Sequence, residues 1–238
     1  MWPFTRHYSI EERSFLDGAV DYHSHILPGV DDGIRIQEDS LRVLSYYEKA
    51  GIKEVWLTPH IMEDIPNSTA FLRERFAVLQ AAYSGPVALH LAAENMMDQL
   101  FEDRLEAGDL LTMENVAENP LLLVETSYFN PPLGLYDILE RVMKKGLRPL
   151  LAHPERYVYM EWKDYGRLKG MGVLFQLNLL SLTGHYGKTA QVCSRRLLKN
   201  GMYDFYGSDL HRLSPFKHAL GEKVLSGREI DALLKLKG

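Results

Sequence analysis

Asp21-Tyr22-His23-Ser24-His25-Ile26-Leu27-Pro28-Gly29-Val30-Asp31-Asp32-Gly33 follows a short apolar segment, Ala19–Asp21, that reads as a first strand. Strand side chains repeat with period two, so His23 and His25 point the same way if the extended backbone continues through them. Two imidazoles on one side, with Asp31 and Asp32 close behind, form the start of a metal site, because histidine and carboxylate ligands suit zinc, manganese and iron. The remaining ligands are then to be sought at equivalent places along the chain.

The chain has 238 residues, 46% apolar and 25% charged, with a net charge of −5. Its length fits one large domain or two small ones, and its composition is that of a soluble globular protein. The negative balance argues against a general nucleic-acid-binding surface. A single cysteine, Cys193, excludes an internal disulfide framework and fits a reducing compartment. The N-terminus, Met1-Trp2-Pro3-Phe4-Thr5-Arg6-His7, lacks the apolar core of a signal peptide, and no apolar run approaches the roughly 18 residues of a membrane span. The expectation is a cytoplasmic protein without membrane insertion, with residues 1–18 as an N-terminal extension and residues 19–238 as one domain.

Strand-like and helix-like segments alternate along that domain. Helices are expected over Gln37–Ala50, Thr69–Tyr83, Leu135–Lys145, Lys188–Lys199 and Ile230–Lys237. After Ala19–Asp21, strands are expected over Glu54–Thr58, Val87–Ala93, Leu121–Val124, Pro149–Ala152, Val173–Leu177 and Asp204–Tyr206. About seven βα units imply a parallel α/β sheet that can close into a barrel.

The polar residues fall in register with these strands. His23, His25, His60, Glu94, Glu125, His153, Asp209 and His211 all lie at or just beyond strand C-terminal ends. In a βα barrel those ends share the face that carries the active site. Taken singly, each has an ordinary structural role: a helix cap for His60 or Asp209, an arginine partner for Glu94 or Glu125, a turn for His153-Pro154. Their joint placement argues for a site. So many donors exceed what one ion accepts and suit two or three ions, the usual device for in-line displacement at phosphorus. Arg156, three residues past His153, is suited to bind a phosphate bidentately, with a surface pair to Glu155 or Glu161 as its ordinary alternative. Arg212 and Lys217 are weaker candidates, and His7, His90, His185, His218 and Glu102 are read as ordinary polar residues. Cysteine-based phosphatase chemistry is excluded, since the position six after Cys193 is Lys199 rather than arginine, and no Gly-x-x-x-x-Gly-Lys-[Ser/Thr] loop occurs.

These blocks resemble the PHP (polymerase and histidinol phosphatase) superfamily. The blocks are His23-x-His25 with Leu-Pro-Gly-Val-Asp-Asp-Gly, Thr58-Pro59-His60, Glu94, Val124-Glu125, Ala152-His153-Pro154-Glu155-Arg156 and Gly207-Ser208-Asp209-x-His211, of which the first and the His-Pro-Glu-Arg-Tyr block are the specific ones. Within it they are most similar to the manganese-dependent bacterial protein-tyrosine phosphatases of the CpsB/YwqE type, over about residues 19–218. The resemblance implies a distorted (β/α)7 TIM-like barrel with three divalent ions, manganese first and iron or zinc as alternatives. It implies His23, His25, Glu94 and Asp209 for the first ion, Glu94, Glu125 and His153 for the second, and Asp32, His60 and His211 for the third. Arg156 would bind the phosphate. The family often has a further arginine a few residues after the last histidine; here the segment reads Arg212-Leu213-Ser214-Pro215-Phe216-Lys217, so Arg212 or Lys217 would have to take that role.

The expected reaction is metal-assisted hydrolysis of phosphotyrosine by water, without a phosphoenzyme. The implied substrate is the tail of a bacterial tyrosine kinase that controls capsule or exopolysaccharide assembly. The rivals are a small-molecule phosphatase such as a histidinol-phosphate phosphatase, an amidohydrolase, whose carboxylated lysine ligand has no counterpart at these strand ends, and a non-catalytic metal scaffold.

Overall fold

The computed structural model describes residues 6–237, so Met1–Thr5 of the expected extension and of the segment read for a signal peptide, and Gly238, lie outside the described residues. In chain order the elements are β1 (His7–Tyr8), β2 (Val20–Ser24), α1 (Gln37–Ala50), β3 (Glu54–Leu57), β4 (His60–Ile61), α2 (Thr69–Ala82), β5 (Ala88–Leu91) and β6 (Glu94–Met96). They continue with α3 (Gln99–Ala107), β7 (Leu121–Glu125), α4 (Leu135–Lys144), β8 (Arg148–Ala152), α5 (Trp162–Met171), β9 (Leu174–Asn178) and α6 (Leu179–Thr183). The last are α7 (Gly187–Lys199), β10 (Phe205–Gly207), α8 (Leu213–Gly221), β11 (Leu225–Ser226) and α9 (Gly227–Leu236).

The parallel strands lie in the orders β10-β9-β8-β7-β6-β4 and β2-β3-β5. Two staves of the barrel are broken and resumed. Pro59 has no N–H to continue the ladder, so β3 stops and restarts as β4. Its neighbour β5 likewise restarts as β6. Hydrogen bonds from Ala92 N to Leu57 O (2.9 Å) and from Glu94 N to Pro59 O (3.1 Å) carry the sheet across both breaks. The ring closes where Asp209 N donates to His23 O (2.7 Å) and His25 N to Leu210 O (3.1 Å). The result is a distorted seven-stave βα barrel, as the alternation of segments implied.

Alternation along the strands sorts the core. Leu121, Leu123, Leu150, Ala152 and Trp56 form one buried cluster inside the barrel. Leu122, Val124, Leu151 and Val55 belong to the larger cluster shared with the surrounding helices. On β2 the register shifts between Asp21 and Ser24. That irregularity lets His23 reach the interior although Val20 and Tyr22 already pack with the inner cluster.

Four helices have no counterpart in the sequence-based reading: α3, α5, α6 and α8. The reasons are local. Every residue of α6 is buried, so it has no polar face to reveal a helical period. Gly166 and Gly170 weaken the helical signal of α5, and Pro215 sits in the first turn of α8, where a missing N–H costs nothing. The segment before the barrel is packed as well. β1 pairs antiparallel with β11 through His7–Ser226 and Tyr8–Leu225, and Ile10 and Phe15 are fully buried.

The closing seam leaves no room at Gly207. A Cβ there would stand 2.4 Å from His23 Cβ and 2.9 Å from His23 N. Gly207→Ala is therefore expected to lower the free energy of unfolding by about 1–3 kcal/mol. The effect should appear as a lower urea midpoint at unchanged slope; an unchanged midpoint would contradict the tight seam.

Candidate metal centre

Each polar group reaches the C-terminal mouth of the barrel because a strand ends beneath it. His23 and His25 leave β2, His60 opens β4, Glu94 opens β6, Glu125 ends β7, His153 follows β8, and Asp209 and His211 follow β10. His153 and Asp209 have positive φ, 34° and 49°. Residues with side chains adopt this region at a cost and persist in it where the surroundings over-determine them, commonly at functional sites.

The nine residues expected as metal ligands converge. His23 Nε2 and His25 Nε2 are 3.1 Å apart. Glu94 Oε2 lies 3.1 Å from the first and 3.2 Å from the second, and Asp209 Oδ1 lies 3.6 and 3.3 Å from them. These four form one buried group able to hold a cation. His60 Nδ1 stands 3.1 Å from Glu94 Oε2 and 3.0 Å from Glu125 Oε1, making a second group. His153 Nε2 is 2.9 Å from Glu94 Oε1 and 3.8 Å from Glu125 Oε2, on the same pair of carboxylates. A third group joins His25, Asp32, His60 and His211. Asp32 Oδ1 there is 3.6 Å from His60 Nε2 and 3.3 Å from His211 Nε2.

The grouping differs from the ligand sets implied by the resemblance at His25, which also joins the third group, and at His60. His60 faces two ways, with Nδ1 toward Glu94 and Glu125 and Nε2 toward Asp32, so it stands between the second and third groups. Glu94 is common to the first two groups.

The donor set fits cations on a direct observation. Glu94 Oε2, Glu125 Oε1 and His60 Nδ1 are buried, lie about one contact apart, and have no hydrogen-bond partner. Buried polar atoms without partners are rare and costly. Atoms that converge on a common point, rather than on one another, are what a metal site requires.

The charges support the same reading. Burial would push the Glu94 carboxyl up, but the imidazoles of His23 and His60 hold it well below the ordinary range. Asp209 is also held well below, with His23 and His25 outweighing its burial. Burial pulls His23 down, yet Glu94 and Asp209 push it up to about 9. His211 hydrogen-bonds Asp32 and lowers it to about 2.

A further set of residues aims the candidate ligands. Asp31 Oδ2 meets His25 Nδ1 at 2.8 Å and accepts from His60 N at 3.1 Å, while its Oδ1 accepts from Gly33 N at 2.9 Å. This carboxylate fixes the proton on His25 Nδ1 and turns Nε2 toward the centre. Gly33 permits the tight loop: a Cβ there would lie 2.2 Å from His25 O. Gln176 Oε1 does for His23 Nδ1, at 2.9 Å, what Asp31 does for His25. Asp31 stands in the opening motif, where it reads with Asp32 as the start of a metal site, whereas Gln176 gives no sequence signal, since nothing distinguishes it from other interior strand positions.

Arg156 lies at the same mouth. Its Nη1 donates to Asp209 Oδ2 at 2.9 Å, and its guanidinium sits 4.4 Å from the Tyr128 ring centroid and 4.0 Å from that of Tyr186. Glu155 does not pair with it. That carboxyl is buried, accepting from Asn178 N and Tyr203 OH, while Glu161 caps α5. Asn178 Nδ2 also donates to Asp209 Oδ2, at 2.7 Å. Asp209 thus turns one oxygen to the imidazoles and the other to Arg156 and Asn178.

A cavity of about 430 Å³ opens over the centre, lined by His60, Glu94, His153, Arg156 and Asp209 and rimmed by Tyr128, Tyr186 and His185. Tyr128, Tyr186, Asn178 and His185 come from loops and a strand end without a metal-ligand pattern. Arg212 also borders this cavity, at its rim beside His211. Cys193 lies in α7, half-buried, 3.3 Å from the Tyr165 hydroxyl and away from the centre.

A family described as capsular polysaccharide synthesis, CpsB/CapC, matches residues 19–222. Among curated proteins, the tyrosine-protein phosphatase YwqE of Bacillus subtilis is 27% identical over 205 residues, covering 82% of this chain and 78% of that protein. The putative tyrosine-protein phosphatase CapC of Staphylococcus aureus is 25% identical over 230 residues, covering 91% and 88%. The fold is similar to that in crystal structures of YwqE from Bacillus subtilis and CpsB from Streptococcus pneumoniae, described as metal-dependent tyrosine phosphatases. The TM-score is 0.75, with 24% identity, covering 92% of this chain and 95% of the other. An inactive dihydroorotase-like domain from Chaetomium thermophilum shares the fold more distantly, at a TM-score of 0.52 and 15% identity.

Two outcomes are expected. Asp31→Ala should weaken divalent-metal affinity by about 10- to 100-fold while leaving the fold intact, measured by chelator competition. Metal loading should also release protons at pH 7.5. His23, raised to about 9, is protonated there in the metal-free protein, and a ligand imidazole must be neutral. Affinity should therefore climb as pH rises toward 9. Calorimetry in buffers of different ionisation enthalpy reads this directly, and a metal-binding enthalpy independent of buffer would refute it.

Proposed function

The chain belongs to the CpsB/CapC family of capsular polysaccharide synthesis, and from that premise we propose that it is a metal-dependent protein-tyrosine phosphatase. The observation that carries the reading is the convergence of three buried carboxylates and five imidazoles at one barrel mouth, with partnerless atoms turned to a common point, beside a half-buried arginine. We assign three divalent ions, manganese in the first instance with iron or zinc as alternatives. His23, His25, Glu94 and Asp209 hold the first, Glu94, Glu125, His153 and His60 surround the second, and Asp32, His60 and His211 hold the third. When bound, such ions supply a water of lowered pKa as nucleophile and positive charge for the phosphoryl oxygens.

The chain's own residues do the positioning. Arg156 is positioned by the rings of Tyr128 and Tyr186 and tied to Asp209 by one of its five N–H groups. Among the described residues the rest of its fork has no hydrogen-bond partner and can take a phosphate, and its positive charge offsets charge that grows on the equatorial oxygens. Because Asp209 also faces the imidazoles, the phosphate-binding group and the candidate ligands are registered to one another. Water adds to phosphorus, the tyrosyl oxygen leaves, and a proton reaches that oxygen. A phenol with a pKa near 10 departs more readily than an alkoxide.

We take the substrate to be phosphotyrosine on the tail of a bacterial tyrosine kinase acting in capsule or exopolysaccharide assembly, in the cytoplasm. The relatives' names as tyrosine-protein phosphatases support this over histidinol phosphate. Among the described residues no helix is long and apolar enough to cross a membrane, and no lysine lines the cavity over the candidate ligands, where an amidohydrolase's carboxylated lysine would stand.

Two variants separate the roles. His153→Ala should lose bound metal and rate together. Arg156→Ala should retain metal and lose about 10²–10³ in kcat on a phosphotyrosine peptide. Faster turnover of histidinol phosphate than of phosphotyrosine peptide by the unaltered protein would overturn the substrate assignment, and full activity in both variants would overturn the site.

A further inference from the structure

Beside the metal centre lies a second and larger concavity of about 740 Å³. It is walled by the loop after β2, the start of α1 and the turn into α8. It meets the metal-site cavity at His211 and Arg212, which line both. Its cations are Arg35, Arg42, Arg212 and Lys217, against the single carboxylate of Asp39. Four positive groups and one negative make a basic patch on a chain whose net charge is −5. The four cations are exposed at the surface.

The partners of these groups matter. Asp39 pairs with Arg42 at 2.7 Å. Lys217 Nζ stands 5.2 Å from the Tyr46 ring centroid. Among the described residues the side chains of Arg35 and Arg212 have no ion-pair or hydrogen-bond partner. The walls are held in place from behind. Gly29 N donates to Ile34 O at 2.8 Å and Ile34 N to His25 O at 3.0 Å, so the loop carrying Arg35 is laced to a candidate ligand. Phe216 packs 6.3 Å from Tyr46 and 6.4 Å from Tyr47, fixing α8 against α1.

We propose that this groove is a second anion-binding subsite, which selects peptides carrying another negative group near the phosphotyrosine being hydrolysed. The inference rests on the phosphotyrosine-phosphatase reading of the adjoining centre. A chain whose phosphotyrosine sits at Arg156 and the metal ligands leaves the mouth past His211 and Arg212 and enters the groove. There a carboxylate or a second phosphate meets unpaired guanidinium groups that fit either anion bidentately. Charge complementarity identifies the occupant: a neutral or basic flank would leave these cations facing nothing. Arg212 thereby acts at the junction, on the flanking chain rather than on the reacting phosphate.

The test uses the metal-loaded full chain and a set of peptides of one backbone sequence. Each has one target phosphotyrosine, flanked on one side or the other by glutamine, by glutamate or by a second phosphotyrosine. The readout is the ratio of kcat/KM for an anionic flank to that for the glutamine flank, in the unaltered protein and in Arg35→Ala/Lys217→Ala. Both replaced residues are exposed, and circular dichroism checks that the variant is folded. The expected ratio is about tenfold in the unaltered protein, as two exposed ion pairs allow. It should shrink with added salt and fall toward one in the double variant through KM rather than kcat. A larger ratio for phosphate than for glutamate names phosphate as the natural anion; equal ratios name charge alone. A ratio of one in the unaltered protein, with all peptides hydrolysed, overturns the subsite and leaves the centre's reading standing. No turnover of any peptide overturns that reading and the subsite with it.

Discussion

The site depends on the seam where the last barrel strand meets the first. β10 approaches β2 so closely that only glycine fits at position 207. Asp209 N then bonds His23 O, and His25 N bonds Leu210 O. Asp21 locks the same seam from the helix side. Its buried carboxyl accepts from Ser208 N at 2.7 Å, from Ser208 Oγ at 2.6 Å and from Tyr47 OH at 2.6 Å. Burial pushes that carboxyl's pKa up, and the donors oppose the push. Residues nearly 190 positions apart are thereby joined, and Asp209 comes within reach of the two histidines that open the barrel. A barrel left open at this seam would leave the first candidate metal group without Asp209, one of its two carboxylates.

A second constraint is electrostatic. Glu94, Glu125 and Asp209 are almost wholly buried, and carboxylates sharing a site repel one another. In the metal-free chain the surrounding imidazoles offset that repulsion, which is why His23 is raised to about 9 and Glu94 and Asp209 are held low. Divalent cations would take over the same compensation. Protons and metals therefore compete for one set of atoms, and the fold tolerates a concentration of buried charge that hydrophobic packing alone could not support.

Positioning is divided among elements that differ in how firmly they are held. Strand ends carry most candidate ligands. Asp31 and Gln176 set the ring orientation of His25 and His23 from behind. Arg156 is held on three sides, by Asp209, Tyr128 and Tyr186. Strained backbone at His153 and Asp209 marks the two turns that aim a side chain back over the barrel mouth. The basic groove beyond His211 is looser, built from exposed long side chains. That is consistent with reading a variable peptide flank rather than fixing a reacting atom.

The amino-acid sequence by itself determined the alternation of apolar strands with amphipathic helices, and hence a parallel barrel. It also singled out nine candidate donor residues, because metal chemistry restricts residue type and a barrel restricts where such residues converge. Arg156 was legible for the same reason: it follows His153 at a strand end. What stayed hidden depends on contacts between distant segments. Gln176, Asn178, Tyr128 and Tyr186 are of ordinary types at ordinary positions, and only closure of the barrel turns them toward His23, Asp209 and Arg156. The fully buried α6 carries no period to read. The two-way stance of His60 follows from the break at Pro59, whose consequence for direction is not written in the residue order. The groove joining Arg35 and Arg42 to Arg212 and Lys217 likewise exists only once α1 and α8 lie side by side. Local chemistry names the donors; three-dimensional closure decides which of them meet, because distance in space is set by packing and not by separation along the chain.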